Sequence, residues 1–548
     1  MSADGGRRRD GDAGRGRRRD AGDQGSARGR NDRRGDDRAA RGDDGLQRSR
    51  GGDRRHDRAG QSAPAGSDRG SRRDGGSSSE RSSSDRRRPQ RASRQVAPAR
   101  QVAFDVLEAV RESEAYANLL LPARIERAGL DEADARLATE LTYGTLRLQG
   151  TYDAVIELAA NRPPEHIDPA VLDVLRLGAH QLLATRVATH AAVNEQVALA
   201  HRVAPAAAGF VNAVLRTISR TDAAEWRRLV AEETSTEDAR LAVLHSHPQW
   251  IVRALRAALA RDDHADELEA LLEADNAAPR VNLAALPGLG DEMPDELGEP
   301  NRFSPIGLTA EHPLALVAAH EGRVRVQDEG SQLAALALTR ARPVEPGERW
   351  LDLCAGPGGK TAVLAAEALA HDAVLVANEL APARAELVRR SIAGVPLDVH
   401  VRVGDGREID PAGLGAPEGF DRILLDAPCT GLGALRRRPE ARWRKAPSDV
   451  PELTALQGEL FDAAVRALRP GGLLAYVTCS PHTAETHGSF AAGLKRWGAE
   501  LQPVDTRAAL EALSRHPLGL EGDGRTAQLW PHRHGTDAMF IALVRRAG

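Results

Sequence analysis

The sequence predicts an all-α domain followed by a doubly wound α/β domain, both behind a disordered N-terminal arm. Three observations carry this expectation. Composition changes near residue 96, from Arg, Asp, Gly and Ser to regularly spaced apolar residues. From Pro98 onward those apolar residues recur at helical intervals. Beyond Arg349, short apolar runs alternate with Ala- and Leu-rich segments, and the runs end in glycine, carboxylates or cysteine. That is the pattern of a parallel sheet whose ligand edge lies at the carboxyl ends of its strands.

The arm is read over residues 1–97. The first 100 residues hold 28 Arg against 16 Asp plus Glu, a net of +12, so a chain of net charge −4 carries −16 in the remainder. With almost no apolar residue before Val96, the arm cannot bury enough surface to offset its chain entropy. An Arg- and Gly-rich arm of this kind either adds non-specific affinity for RNA through counterion release or serves as a solubilising tail. The sequence has 72 Arg and 3 Lys, a bias that extends well beyond the arm.

No apolar run approaches the roughly 18 residues needed to cross a bilayer. No stretch reads as a secretory signal, and three cysteines in 548 residues make no disulfide framework. A cytoplasmic, non-membrane protein with reduced thiols is expected. The histidines of WPHRHG (530–535) offer no convincing metal-ligand set, so no metal is expected.

Residues 98–234 are expected to form the helical domain. Val102, Val106, Leu107 and Val110 mark one helix face, and Leu137, Leu141, Leu146 and Leu148 continue the pattern. The segments YANLLL (116–121), ELTYGTLR (140–147), HAAVNEQVALA (190–200) and GFVNAVLR (209–216) together resemble a NusB-like RNA-binding domain. Residues 235–325, with weakly alternating strands and Pro-, Gly- and Glu-rich loops, read as a small mixed α/β connecting unit.

The α/β domain is read over residues 326–548. RWLDL is a buried-strand pattern running into CAGPGGKTAVLAAEAL, a glycine-rich turn and then a helix, which is the first unit of a Rossmann-like sheet. Small residues there let a ligand approach the backbone and the helix N-terminus. A Walker A loop would need glycine at position 354, where the chain has Cys354. The dinucleotide fingerprint also fits poorly, because Thr361 stands where its third glycine belongs. S-adenosyl-L-methionine is the better candidate ligand for this turn.

The later strands add carboxylates. AVLVANE (373–379) ends in Glu379, suitably placed for both ribose hydroxyls of a cofactor. DVHVRVGDGRE supplies Asp405 for the adenine edge, RILLDAPC supplies Asp426 and Cys429, and LLAYVTC ends in Cys479. Any one such Asp could be a helix cap or turn former. Five successive junctions with suitable residues point instead to a ligand site.

LDLCAGPGGKT, VANE, GDGR, LLDAPCTGLGALRRRPEARW and YVTCSPHTAE together resemble the motifs of the bacterial 16S rRNA (cytosine-C5)-methyltransferases, across roughly residues 98–548. The resemblance implies that residues 354–360, Glu379, Asp405 and Asp426 bind S-adenosyl-L-methionine. It further implies that Cys479 is the nucleophile, that Cys429 assists product release, and that the partner is RNA, 16S ribosomal RNA first. Without it the choice between thiols stays open, because DNA enzymes of related chemistry use the cysteine of a Pro-Cys pair, here Cys429. The chemistry wants a thiol because C5 of cytosine is a poor nucleophile. A thiolate adding to C6 makes the ring enamine-like, so that C5 can attack a sulfonium methyl group. Asp426 is also placed to hydrogen-bond the pairing edge of the cytosine.

Two further expectations concern neighbouring segments. LRRRPEARWRK places six basic residues and Trp443 after Cys429, suited to holding phosphates and stacking a base. Where many family members carry Pro-Glu-Glu-Asn after Thr-Cys-Ser, this chain has SPHTAETHG, with Glu485 as the candidate replacement. The rival functions are the same chemistry on transfer RNA or DNA, and a non-catalytic ribosome-assembly or antitermination factor. A helical RNA-binding domain argues against DNA, and two thiols at strand ends argue against a pure binder.

Overall fold

The computed structural model describes residues 96–113, 115–289, 297–320 and 322–548. The arm expected over residues 1–97 lies, except for its last two residues, outside the described residues.

Eight helices open the described chain: α1 (Pro98–Ser113), α2 (Ala117–Ala128), α3 (Glu132–Arg147), α4 (Gln149–Ala160), α5 (Pro169–Ala184), α6 (Thr189–Val203), α7 (Ala208–Ile218) and α8 (Ala223–Glu232). The α1 face of Val102, Val106, Leu107 and Val110 is buried. Leu141 and Leu146 join the same core, with Leu137 and Leu148 partly buried against it. Capping sets the boundaries. Asp131 accepts from the Asp134 amide to start α3, and Asp168 accepts from the Ala170 and Val171 amides to start α5, with Pro169 at its first position. Helices α3 and α5 approach so closely that a Cβ at Gly144 would fall 2.2 Å from the His180 ring.

The connecting region divides in two. Helices α9 (Glu237–Leu244), α10 (Gln249–Ala260) and α11 (Leu268–Asn276) come first. They share an apolar cluster with Leu432, Leu435, Trp530 and Ala538, so they buttress the loop that follows Cys429. Strands β1 (Asn282–Ala285), β2 (Glu299–Pro300) and β3 (Gly307–Thr309), helix α12 (Pro313–Ala319) and strand β4 (Val324–Val326) follow. The strands form an antiparallel sheet in the order β2-β3-β1-β4.

The α/β domain contains α13 (Glu329–Arg340), β5 (Arg349–Asp352), α14 (Gly359–Ala370), β6 (Val374–Glu379), α15 (Pro382–Ile392), β7 (His400–Val403), β8 (Phe420–Asp426), α16 (Ala441–Arg444), α17 (Asp449–Ala467) and β9 (Leu468–Thr478). It finishes with α18 (Ser489–Trp497), β10 (Leu501–Pro503), α19 (Thr506–Leu513), β11 (Thr526–Gln528), α20 (Pro531–His534) and β12 (Phe540–Arg546). The sheet order is β10-β12-β9-β8-β5-β6-β7, with β11 paired to β12. Strands β5 to β9 are parallel to one another, and β12 runs antiparallel to β9. All five sequence-predicted strands are present. Strand β12 was not among them, because its apolar run ends in arginines and carries no ligand-type residue to mark it.

Helices α13, α14 and α19 cover one face of the sheet and α17 and α18 the other, each building its own apolar cluster. Burial on both faces explains why β8 and β9 read as continuous apolar runs. Strand order reverses between β5 and β8, so the loops after these two strands flank the crevice where open α/β sheets bind ligands.

Candidate active site

The glycine turn is built around Glu379. Strand β6 ends at Glu379, whose buried carboxylate accepts the Gly356 amide at 2.9 Å and the Ala381 amide at 3.0 Å. A Cβ at Gly356 would land 2.2 Å from Glu379 Oε2, so only glycine fits there. Ala355 donates to the Asn378 carbonyl, Pro357 O accepts from Ser391 Oγ, Gly358 takes a left-handed conformation (φ 102°), and Gly359 opens α14. The predicted turn residues and Glu379 therefore converge. Cys354 lies in the turn, and burial pushes its thiol well above the ordinary range.

Asp352, at the end of β5, carries no role in the sequence reading. One of its oxygens accepts the Thr361 hydroxyl at 2.7 Å, and the other is buried without a partner. Burial, with the nearby Asp426 and Glu379 charges adding to it, pushes Asp352 up to about 7. Its signal in the sequence was its place at the end of the RWLD run, masked by the motif that follows. Asp405 lies beyond β7 and accepts the Arg407 amide and guanidinium at 2.6 to 3.0 Å. That hydrogen bonding holds its carboxyl below the usual range.

Lys360 and Asp426 form an ion pair at 2.8 Å. Burial disfavours the Lys360 charge, yet Asp426 holds the ammonium above its ordinary value. Next to this pair the two strand-end thiols meet, with Cys429 Sγ 3.6 Å from Cys479 Sγ. The electrostatics of the two are unequal. The hydrogen bond shared with Cys429 lowers the Cys479 thiol, burial and the Asp426 charge work against this, and the Lys360 charge offsets that of Asp426 in part. Cys429 is pushed well up by that same bond, by burial and by the Glu485 charge. Of the two thiols, Cys479 is held lower and Cys429 higher than the ordinary value.

Glu485 sits in a π-helical turn (Ala484–Gly488) and is fully buried. It accepts the Thr430 amide at 2.7 Å, the Thr430 hydroxyl at 2.5 Å and the Ser480 hydroxyl at 2.6 Å. It thus ties the residue after Cys429 to the residue after Cys479. Gly433 pins the same loop, donating to the Cys479 carbonyl and accepting from the Ala538 amide, and a Cβ there would meet Ala538 O at 2.1 Å.

The basic segment after Cys429 differs from its sequence reading. Arg442 is fully buried and donates to the Arg147 and Ser246 carbonyls and to Asn276 Oδ1. Arg444 donates to the Val110 and Ala115 carbonyls, and Arg437 pairs with Asp537. Arg442 and Arg444 tie the α/β domain to the helices before it, because carbonyls at helix ends need donors, whereas the Arg437 pair lies within the α/β domain. Trp443 remains 38% exposed.

Does the crevice fit S-adenosylmethionine? The cation has a ribose, an adenine and a methionine end. Glu379 stands beside the glycine turn, and the Asp426 and Glu379 charges both act on Asp352 at the end of the neighbouring strand. A buried, unpartnered Asp352 oxygen in such a cluster suits a positively charged guest. The residues fit. Among the described residues, no group of three or more His, Cys, Asp or Glu could hold a metal ion, and no helix is long and apolar enough to cross a membrane.

Known proteins share these features. Residues 340–545 match the family model described as 16S rRNA methyltransferase RsmB/F, and residues 97–220 match the NusB family. The chain is 49% identical to Rv1407 of Mycobacterium tuberculosis (strain H37Rv), named as a methyltransferase with no substrate in its name, over 85% of this chain and 99% of that one. It is 35% identical to ribosomal RNA small subunit methyltransferase B of Pseudomonas putida, over 81% of this chain and 98% of the relative. The crystal structure of PH0851 shares the fold, with a TM-score of 0.66 at 23% identity, covering 82% of this chain and 99% of that one. A NusB-like helical region, a methyltransferase sheet and near full-length identity to the Pseudomonas enzyme converge on one assignment. The chain belongs to the RsmB/F family of S-adenosylmethionine-dependent 16S rRNA methyltransferases.

Proposed function

We propose that this enzyme methylates C5 of a cytosine in 16S ribosomal RNA, with Cys479 as the nucleophile and Cys429 as the residue that assists product release. The observation that carries the reading is the meeting of two thiols, 3.6 Å apart, at the ends of adjacent parallel strands. Bound S-adenosylmethionine supplies an electrophilic methyl group. The Cys479 thiolate adds its electron pair to C6 of the cytosine, and the C5–C6 electrons become available to attack that methyl group. Release then needs loss of the C5 proton to a base, which returns the electrons to the ring and expels the Cys479 thiolate. Cys429 is the nearby candidate for that base, directly or through water.

In this reading residues 354–360, Glu379, Asp405 and Asp426 hold the cofactor, and Asp426 also meets the pairing edge of the cytosine. Lys360, paired to Asp426, keeps a positive charge near the attacking sulfur. Residues 98–234 serve as the RNA-binding domain, 235–325 as the connection and 326–548 as the catalytic domain, in a cytoplasmic enzyme whose three cysteines are free.

The test is nucleoside mass spectrometry on unmodified small-subunit ribosomal RNA after incubation with the enzyme and isotope-labelled S-adenosylmethionine. Labelled 5-methylcytidine is expected. Label in a different nucleoside would sink the C5 chemistry, and labelling of transfer RNA alone would move the substrate.

A further inference from the structure

A cavity of about 350 Å3 lies between the helical domain and the segment after Cys429, and its lining includes none of the residues assigned above to chemistry or cofactor. Two of its lining residues carry buried polar atoms without hydrogen-bond partners, Thr145 Oγ1 and Glu440 Oε2. The other Glu440 oxygen is used, accepting the Ala117 amide at 3.0 Å. Buried polar atoms are normally paired, and leaving them unpaired costs stability. A ligand with matching groups would recover that cost. The same cavity is lined by Trp443, which Gly150 accommodates, since a Cβ there would meet the indole at 2.5 Å. Arg111, Arg176 and Arg444 also line it, with Arg176 held by both Asp153 and the nearly buried Asp173, and Arg111 by Asp173.

An aromatic ring, an unpaired carboxylate oxygen and an unpaired hydroxyl form a combination suited to a nucleotide base. We propose that this cavity takes one unpaired, amino-bearing base of the ribosomal RNA substrate (adenine, guanine or cytosine), stacked on Trp443, with its amino N–H donated to Glu440 Oε2. The Thr145 hydroxyl serves a ring nitrogen or carbonyl of the same base. Uracil is disfavoured, because two carbonyl oxygens flank its N–H and the carboxylate repels them. The site is a second RNA anchor, apart from the cysteine pair, and it rests on the ribosomal RNA substrate proposed above.

The test compares binding of fluorescent hexa-adenylate and hexa-uridylate by the full chain at fixed salt. The wild type should prefer the adenylate by roughly tenfold, within the range expected for one stacked base. Stacking alone also favours adenine, so the variants decide. Glu440→Gln keeps the oxygen that serves Ala117 and replaces the free acceptor by a donor, and the preference should fall several-fold, to what stacking alone leaves. Thr145→Val removes a hydroxyl that has no partner within the protein, so it should leave the melting temperature level or higher while weakening adenylate binding several-fold. A wild type without preference, or a folded Thr145→Val protein with unchanged adenylate affinity, overturns the proposal. Scoring methyl transfer to 16S ribosomal RNA in the same preparations separates the two claims. Transfer without base preference defeats the anchor alone, and base preference without transfer defeats the methyltransferase chemistry alone.

Discussion

Single residues at this site are set by burial and charge together, and Asp352 shows how. Its carboxyl is held up to about 7 in the folded protein, against an ordinary value of 3.8. A raised folded value means that the contribution to stability is fully present below the unfolded value and is lost as pH rises through the folded one. Asp352→Asn removes this dependence while keeping the side-chain volume. The stability of the wild type relative to the variant should therefore fall by about 2–3 kcal/mol between pH 5 and pH 8. Denaturant titrations at the two pH values check it, and an equal difference at both would contradict the assigned environment. Sequence patterning marked Glu379, Asp426 and both thiols because each follows an apolar run. It passed over Asp352, whose importance lies in an unpaired oxygen, and pairing is a property of three dimensions.

At the scale of elements, the ends of β8 and β9 form one unit braced by Glu485. The carboxylate accepts from Thr430 and Ser480, one residue beyond each cysteine. Glu485→Gln would set an amide N–H2 against these donors, so a loss of about 1–3 kcal/mol in stability is expected. It also removes the negative charge that helps keep Cys429 protonated. Mapping iodoacetamide labelling by mass spectrometry should then show the ratio of Cys479 to Cys429 modification falling several-fold near neutral pH. An unchanged ratio would confine Glu485 to a packing role. The sequence presented Glu485 as a candidate replacement because it follows Thr-Cys-Ser within a few residues. The π-helical turn that aims it inward was not legible, since such a turn leaves no distinct apolar period.

Across the whole molecule, the arginine-rich segment after Cys429 couples the helical and α/β domains. Arg442 is the centre of that contact, buried and donating to three acceptors from the helical domain and from the helices that follow it. Arg442→Ala leaves those acceptors buried without a donor, so a loss of about 3 kcal/mol or more is expected. Thermal unfolding should show it, and a shift below one or two degrees would mean that water replaces the guanidinium. The five parallel strands and the leading helices were legible because their apolar periods are strong. The role of LRRRPEARWRK was not, because a guanidinium that reaches a helix-end carbonyl and one that reaches a phosphate have the same sequence. The central claim, that Cys479 attacks the base and Cys429 releases it, is tested most directly by trapping. Incubated with S-adenosylmethionine and unmodified 16S ribosomal RNA, the Cys429→Ala protein should accumulate a denaturation-resistant RNA adduct whose cross-linked peptide contains Cys479. The Cys479→Ala protein should form none, and an adduct persisting in that variant would contradict the assignment.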